Sequence, residues 1–317
     1  VIDVTQPKFV RKGSNSEVVK LLSDIKSGEV KGLITVGINP GFTLPNADEF
    51  LAAVKKLELS AAFALKEDET AAVAQFIGPT SHYLESWGDY EFKKGHFALA
   101  QPTIKPLFDT RQFQDVLLKL MKTETNYHQE IKSFWEKNIL LEKTWNKSLH
   151  DGFLSTDVTI ESISPEINVS DQINSLSAST SKGLSLVLYT KTGMGDGQQA
   201  NNPWLQEFPD PISRISWDNY LTISAIDAKE IGLKNINVSN GALNGSYAQV
   251  SVGDKTITAP VLIQPGQAEG TIGLAFGYGE RKGLQEEMQV GVNAYPFYNN
   301  FDSVQQVSIK PAEGYHE

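Results

Sequence analysis

The chain has 317 residues, 40% apolar and 21% charged, an ordinary soluble composition whose length predicts about two domains. Acidic residues outnumber basic ones 38 to 28, a formal charge of −10, which argues against nucleic acid or anionic lipid as the main partner because both demand clustered Lys and Arg. Cysteine is absent, so disulfides, cysteine-ligated iron–sulfur clusters, zinc–thiolate sites and thiol nucleophiles are excluded from this chain.

No apolar run approaches the ~20 residues a membrane span needs. The opening Val1-Ile2-Asp3-Val4 carries neither an initiator Met nor a signal-peptide pattern, as expected of an excised fragment.

Residues 15 to 28 have helical spacing, with Val18, Val19, Leu21, Leu22 and Ile25 on one face and Ser14 or Asn15 available as N-cap. Lys31-Gly32 is the expected end. A short strand over 33–38 runs into a sharp loop at Asn39-Pro40-Gly41. A second helix is expected from Asn46 to about Lys56, with Glu49 completing a capping box. The next strand lies within 57–65; Asp68-Glu69-Thr70 then caps a helix through Ala74, and 76–79 is a short strand. Strands alternating with helices at this spacing predict a parallel α/β sheet. Such sheets bind ligands at the C-terminal ends of their strands, which directs attention to Asn39, Asp68, Glu69, Thr70, Ser81 and His82. From 110 to about 149 the pattern is helical. Its stripes of Phe113, Val116, Leu117, Leu120 and Met121, then Phe134, Trp135, Ile139 and Leu140, read as core faces.

Residues 151–182 are rich in Ser, Thr, Asn and Asp and read as a linker or surface excursion. Beyond 183 the character turns to β, with short strands at 184–189, 220–224, 236–238, 247–252, 256–263 and 271–276 and one brief helix from Asp227. That spacing predicts a compact barrel of six or seven strands.

Catalytic motifs are thin. The chain has no Gly-x-Ser-x-Gly elbow, no His-Glu-x-x-His and no Walker lysine, and its five histidines are scattered. Gly193 to Gly197 lacks the Lys-Ser/Thr ending of a phosphate loop.

Two stretches carry a resemblance. The first is Asn202-Pro203-Trp204-Leu205-Gln206-Glu207-Phe208-Pro209-Asp210-Pro211, following the Gly-rich turn at 193–197. The second is Gly37-Ile38-Asn39-Pro40, then Leu44-Pro45, Asp68-Glu69-Thr70, Pro79, His82-Tyr83-Leu84-Glu85 and Gly88-Asp89. Together they resemble the third domain and the C-terminal cofactor-binding domain of the molybdopterin oxidoreductases. The resemblance implies an α/β domain over 1–150, the linker over 151–182 and a double-psi-like β-barrel over 183–317. It implies that Asn39, Asp68, Glu69 and Thr70 line the guanine-dinucleotide side of a cofactor cleft. Asn202, Trp204, Gln206, Tyr278 and Asn293 would close over the pterin from the other side.

Two departures bear on that site. The family's Ala-Asp-x-x-Leu-Pro reads Ala74-Gln75-Phe76-Ile77-Gly78-Pro79 here and loses the acid. Where active members carry a polar cluster such as Gly-Gln-Gly-His, this chain has Gly277-Tyr278-Gly279-Glu280, and Glu280 would repel a polyanionic cofactor unless Arg281 or Lys282 offsets it.

A narrower likeness rests on 81–89, on 101–115, and on Phe276-Gly277-Tyr278-Gly279 with Asn293-Ala294-Tyr295-Pro296. These resemble the molybdopterin-like half of the large iron–sulfur subunit of alternative complex III, a quinol:electron-acceptor oxidoreductase. That resemblance implies a scaffold with a vestigial pterin cleft filled by side chains such as Tyr278 or Trp204. No cofactor is then expected in this segment, and iron–sulfur clusters lie only in other parts of the parent. Partners would be the parent's other domains and the membrane and cytochrome subunits of a respiratory complex, on the periplasmic side of a bacterial inner membrane. The alternative is a functional enzyme binding bis-molybdopterin guanine dinucleotide.

Overall fold

A computed structural model describes residues 7–10, 13–157, 169–170, 173–174, 183–239 and 242–317. Most of the expected linker at 151–182 lies outside the described residues. The chain divides into two compact units. The first comprises Val1–Ile38, Val54–Glu67 and Val73–Val169; the second comprises Asn39–Ala53, Asp68–Ala72 and Ser170–Glu317.

The first unit opens with α1 (Asn15–Ser27), whose N-cap Ser14 accepts a hydrogen bond from the Glu17 amide at 3.3 Å. Gly28, not Lys31-Gly32, ends it: Gly28 takes φ 80°, and its N–H reaches back to Ile25 O. Gly32 instead begins β1 (Gly32–Val36), which pairs in parallel with β2 (Leu59–Ala64), and β2 pairs in parallel with β3 (Phe76–Pro79). This is the parallel layer that the strand–helix alternation predicts.

A second, antiparallel sheet in this unit is formed by β4 (Gly88–Lys93), β5 (His96–Ala100) and β6 (Phe153–Ser155). Asp89–Lys93 alternates charged and aromatic residues at strand period, but its aromatic face, Tyr90 and Phe92, is the exposed one, so no buried apolar face marks the strand in the sequence. The helical stretch resolves into α4 (Phe113–Leu120), α5 (Tyr127–Asn138) and α6 (Trp145–Asp151). The apolar faces of α5 and α6, with β6, bury Ile131, Trp135, Ile139, Leu140, Trp145 and Leu154 in one cluster. The expected core stripe on α4 is not buried in the same way: Leu117, Leu120 and Met121 are exposed, as is Phe134 of α5.

In the second unit, Pro40 occupies the first turn of a short helix, α2 (Pro40–Thr43), where sequence reading expects only a sharp loop. Helix α3 (Ala47–Val54) follows, ending before the expected Lys56. The β half is an eight-stranded mixed sheet of β7 (Ser185–Tyr189), β8 (Leu221–Ile223), β9 (Asn235–Asn237), β10 (Leu243–Val252), β11 (Lys255–Ile263), β12 (Thr271–Ala275), β13 (Val304–Gln306) and β14 (Ser308–His316). The order is β13-β7-β12-β8-β11-β10-β14, with β9 beside β10. β7 and β12 are parallel, as are β8 and β11; the other pairs are antiparallel.

Among the described residues no ladder joins β13 to β14, so the strand pairing shows a mixed sheet and does not itself show the closure of the expected barrel. Strand β14 escapes sequence reading because Pro311 and Gly314 read as breakers, and β13, only three residues long, carries too short a pattern to be seen. β14 tolerates Pro311 as a terminal strand pairing with β10 alone. Helices α7 (Pro203–Glu207) and α8 (Ala225–Ile231) complete the unit. Its core gathers Leu186, Leu221, Ile223, Val250, Ile272, Leu274 and Phe297, and Phe42 of α2 inserts into the same cluster.

The core location sets a stability contrast. Ile272→Ala, at a fully buried position, should lower unfolding free energy by about 2–5 kcal/mol. Leu107→Ala, at an exposed one, should stay within about 0.5 kcal/mol. Denaturant unfolding followed by tryptophan fluorescence measures both, and equal losses would contradict the assigned core.

Candidate functional site

Asn39, Asp68, Glu69 and Thr70 come together in the second unit, in the two excursions that follow β1 and β2. Asn39 sits at the N-cap position of α2 but does not cap it. Its amide instead donates to Glu69 Oε2 at 2.7 Å, while its Oδ1 accepts from Thr70 Oγ1 at 2.8 Å and from the Thr70 amide at 3.2 Å. Thr70 Oγ1 in turn accepts from the Gly41 amide at 2.9 Å. Only glycine permits that approach, since a Cβ at position 41 would meet Leu51 at 2.7 Å and the Thr70 nitrogen at 3.1 Å. Asp68 Oδ1 accepts from the Ala71 amide at 2.9 Å, which starts a single 3₁₀ turn over Ala71–Val73 where sequence reading expects a longer helix. Glu69 Oε1 accepts from the Lys282 amide. Ser81 and His82 belong to the first unit. His82 Nδ1 accepts from the Leu84 amide at 3.3 Å, and Glu85 Oε2 accepts from the His82 amide at 3.0 Å, a capping box rather than a ligand pair.

The second predicted set lies in the same unit but does not converge. Asn202 caps α7 by accepting from the Trp204 amide at 3.1 Å. Trp204 is 81% exposed. Gln206 is buried, its Nε2 donating to Ala200 O at 3.0 Å and its Oε1 without a partner. Tyr278 is buried with Met194, Ala200 and Ala275, and Asn293 Oδ1 accepts from the Tyr295 amide at 3.0 Å. Beside these lies Arg281, whose guanidinium is centred 4.9 Å above the Phe42 ring. Its Nε and Nη2 are buried without hydrogen-bond partners. A Cβ at Gly197 would stand 3.0 Å from Nη2 and 2.5 Å from Gly277 O, so the glycine turn makes room for the guanidinium. Burial lowers the Arg281 pKa, against the opposing pull of Glu69, Asp196 and Asp68.

Two residues unnoticed in the sequence organise this region. Asn219, fully buried, donates to Ala275 O at 2.7 Å and Val292 O at 2.9 Å and accepts from the Val292 amide at 2.8 Å. Lys191 is buried between aromatic rings, its Nζ 4.1 Å from the Tyr220 centroid and 5.2 Å from that of Tyr278, and it donates to Asp218 O at 3.1 Å. A lone Asn or Lys has no sequence signature for such burial. Asp218 also meets His316 Nε2 at 2.8 Å beside a cavity of about 600 Å³. His316 Nδ1 is bonded to the Tyr247 hydroxyl at 3.0 Å, so both ring nitrogens are engaged and neither is free as a base. Among the described residues no group of three or more His, Asp or Glu could hold a metal ion, and no helix is long and apolar enough to cross a membrane.

The Lys191 cage predicts an alkaline stability profile. Burial pushes the ammonium from its ordinary 10.5 down to about 8, against the pull of Asp210 and Asp218. Between those values the unfolded chain binds the extra proton, so stability rises with pH across that window. Tyr189, pushed up to about 12 by burial, acts oppositely: its unfolded phenol ionises near 10 while the folded one does not, and stability falls above that point. Tyr220, Tyr278 and Tyr295 shift upward for the same reason. Denaturant midpoints should therefore rise from about pH 8 towards 10 and then decline. Lys191→Met should remove the rise and keep the decline; a rise that survives the substitution would assign it elsewhere.

No family model matches the chain. Over 98 residues it is 32% identical to the assimilatory nitrate reductase catalytic subunit of Bacillus subtilis, a match covering 31% of this chain and 14% of that one. Over 105 residues it is 32% identical to the menaquinone reductase, molybdopterin-binding-like subunit of Nitratidesulfovibrio vulgaris, covering 31% and 15%. The fold is similar to that of acetylene hydratase from Pelobacter acetylenicus, with a TM-score of 0.61 at 11% identity over 93% of this chain and 46% of that one. The chain thus spans less than half of that solved protein, and its matches cover about one-seventh of each curated relative. Local identity to two such subunits, together with a shared fold across nearly the whole length, relates this chain to the molybdopterin oxidoreductase superfamily.

Proposed function

We propose that this chain is part of a respiratory oxidoreductase subunit engaged in quinol-linked electron transfer, in which it acts as a scaffold whose pterin cleft is vestigial. One observation carries the reading: Asn39, Glu69, Thr70 and Asn293, polar groups that would hold a dinucleotide, are hydrogen-bonded within the protein. Asn39 spends its amide on Glu69 and Thr70, Glu69 accepts from Lys282, and Asn293 turns back on Tyr295. A pyrophosphate or guanine edge would have to break these bonds, each substitution costing roughly 1–3 kcal/mol where a buried partner is left unsatisfied. Tyr278 packs with Met194, Ala200 and Ala275, and the Lys191 Nζ lies 5.2 Å from its ring.

The menaquinone reductase relative supports the quinol-linked setting and partners within a membrane-associated respiratory complex. Alternative complex III is the type this reading favours, with membrane and cytochrome subunits as partners on the periplasmic side of a bacterial inner membrane. Iron–sulfur clusters would lie in other parts of the parent, because this chain has no cysteine. The double-psi-like barrel closure belongs to the same reading.

A second reading, binding of bis-molybdopterin guanine dinucleotide, is favoured by Arg281 and Gln206. Two buried guanidinium nitrogens without acceptors beside a glycine turn suit an anionic oxygen, and the Gln206 Oε1 lacks a donor. When bound, such a cofactor would supply two-electron chemistry at its metal. Arg281 would orient an anionic group, and Gln206 would accept a ring N–H.

Metal and pterin analysis of the full-length parent from its native host decides between the two. The scaffold reading expects iron without stoichiometric molybdenum, tungsten or guanine nucleotide. Stoichiometric molybdenum or tungsten with guanine nucleotide would overturn it and establish the second reading.

A further inference from the structure

Three of the five tryptophans gather in the core of the first unit. The Trp87 and Trp145 ring centroids are 6.5 Å apart, and those of Trp145 and Trp135 are 6.1 Å apart at an interplanar angle of 87°. Phe97 packs edge-on to Trp135 at 6.1 Å, and His128 stacks on Trp87 at 4.0 Å. Trp135 and Trp145 are buried, whereas Trp87 and Tyr127 are half-buried. The cluster therefore runs from one partly accessible ring, through the core, to another partly accessible residue.

One carboxylate closes this path. Asp89 on β4 accepts from Trp135 Nε1 at 3.0 Å through Oδ2 and from the Tyr127 hydroxyl at 3.3 Å through Oδ1. Packing alone does not call for a charged group here. A buried indole N–H needs an acceptor, but a neutral carbonyl would satisfy it without the cost of partly desolvating a carboxylate. What a carboxylate adds is proton affinity, offered to two oxidisable side chains at once.

We propose that Trp87, Trp145, Trp135 and Tyr127 form a relay for a one-electron oxidising equivalent, with Asp89 as the proton acceptor shared by the indole and the phenol. The oxidant belongs to the class of high-potential transition-metal centres or oxyl radicals, and it is reduced by one electron taken from Trp87 or Trp145. The hole then moves to Trp135. Loss of an electron from that indole cleaves its Nε1–H bond, the proton passes to Asp89 Oδ2, and a neutral indolyl radical remains. Tyr127 next gives its electron to the indolyl ring and its hydroxyl proton to Asp89 Oδ1, while the first proton returns from Oδ2 to Nε1. The result is one phenoxyl radical, one protonated Asp89 and restored tryptophans. A one-electron reductant of the thiolate or quinol class then reduces the phenoxyl, which recovers its proton from Asp89. Burial, with Asp89 beside it, pushes the Tyr127 phenol up to about 12, so at neutral pH it carries the proton that this step must release. The inference does not depend on how the pterin cleft is read.

Flash photolysis of the whole chain tests it, with tris(bipyridine)ruthenium(III) generated in solution as the oxidant and transient absorption as the readout. In the unaltered protein a tyrosyl signal should grow as the neutral indolyl signal decays. Tyr127→Phe should lose that tyrosyl phase and prolong the indolyl radical, and Trp135→Phe should lose the tyrosyl phase as well. Tyr90→Phe, which removes a neighbouring exposed phenol stacked on Phe92, should change neither. Asp89→Asn should shift the oxidised indole to its protonated radical cation, a spectral change that a structural role would not produce. Should Asp89→Asn fail to fold, the two relay variants and the Tyr90 control still decide the matter. An unchanged tyrosyl phase in Tyr127→Phe, or its loss in Tyr90→Phe, would overturn the relay.

Discussion

The side-chain amide of Asn39 is the interaction on which the candidate site depends. It reaches across thirty positions of sequence to join the excursion after β1 to the turn after β2, satisfying Glu69 and Thr70 together. Because its donor and acceptor are both used, neither loop is free to reorganise without stranding a partly buried polar group. Gly41 makes this geometry accessible, and Phe42, one residue on, drives the tied loops into the hydrophobic cluster of the second unit. The two excursions therefore belong energetically to the β half, although their flanking strands lie in the first unit.

Charge in the second unit follows the same economy. Lys191 and Arg281 both lie over aromatic rings, and carboxylates rather than solvent supply much of the surrounding field. Lys191 finds a carbonyl acceptor and two faces; Arg281 keeps two nitrogens unpaired. That difference separates an ammonium held for architecture from a guanidinium that retains capacity for an anion.

The first unit shows how a polar group can organise an aromatic core. Asp89 stands beneath Trp135 and Tyr127 because both carry a hydrogen that must be accepted once they are removed from water. The closely spaced indoles follow from packing α5 and α6 against the antiparallel sheet. Their separations also bring oxidisable rings within contact of one another, so one packing solution serves stability and opens a redox path.

Much of the local architecture was legible in the chain itself. Alternating apolar strands and capped helices over 15–79 specified a parallel layer, because hydrophobic period and capping chemistry act within a few residues. Ser14 caps the helix that follows it, and the motifs around Asn39 and Asn202 pointed to the superfamily. The absence of cysteine settled which ligands the chain lacks. Partnership across sequence was not legible. That Asn39 would spend its amide on Glu69 and Thr70, that Trp204 would face outward while Tyr278 turned in, and that Asp89 would serve two aromatic donors depends on contacts 30 to 46 positions apart for the hydrogen bonds concerned. Strand β14 likewise became readable only beside β10, where an edge position carries a ladder on one side only and Pro311 is accommodated opposite Ala248. Composition and periodicity determined which elements form, since those forces are local. Tertiary packing alone decided which polar groups remain free for a ligand, since each hydrogen bond spent internally is set by a partner that the neighbouring sequence does not name.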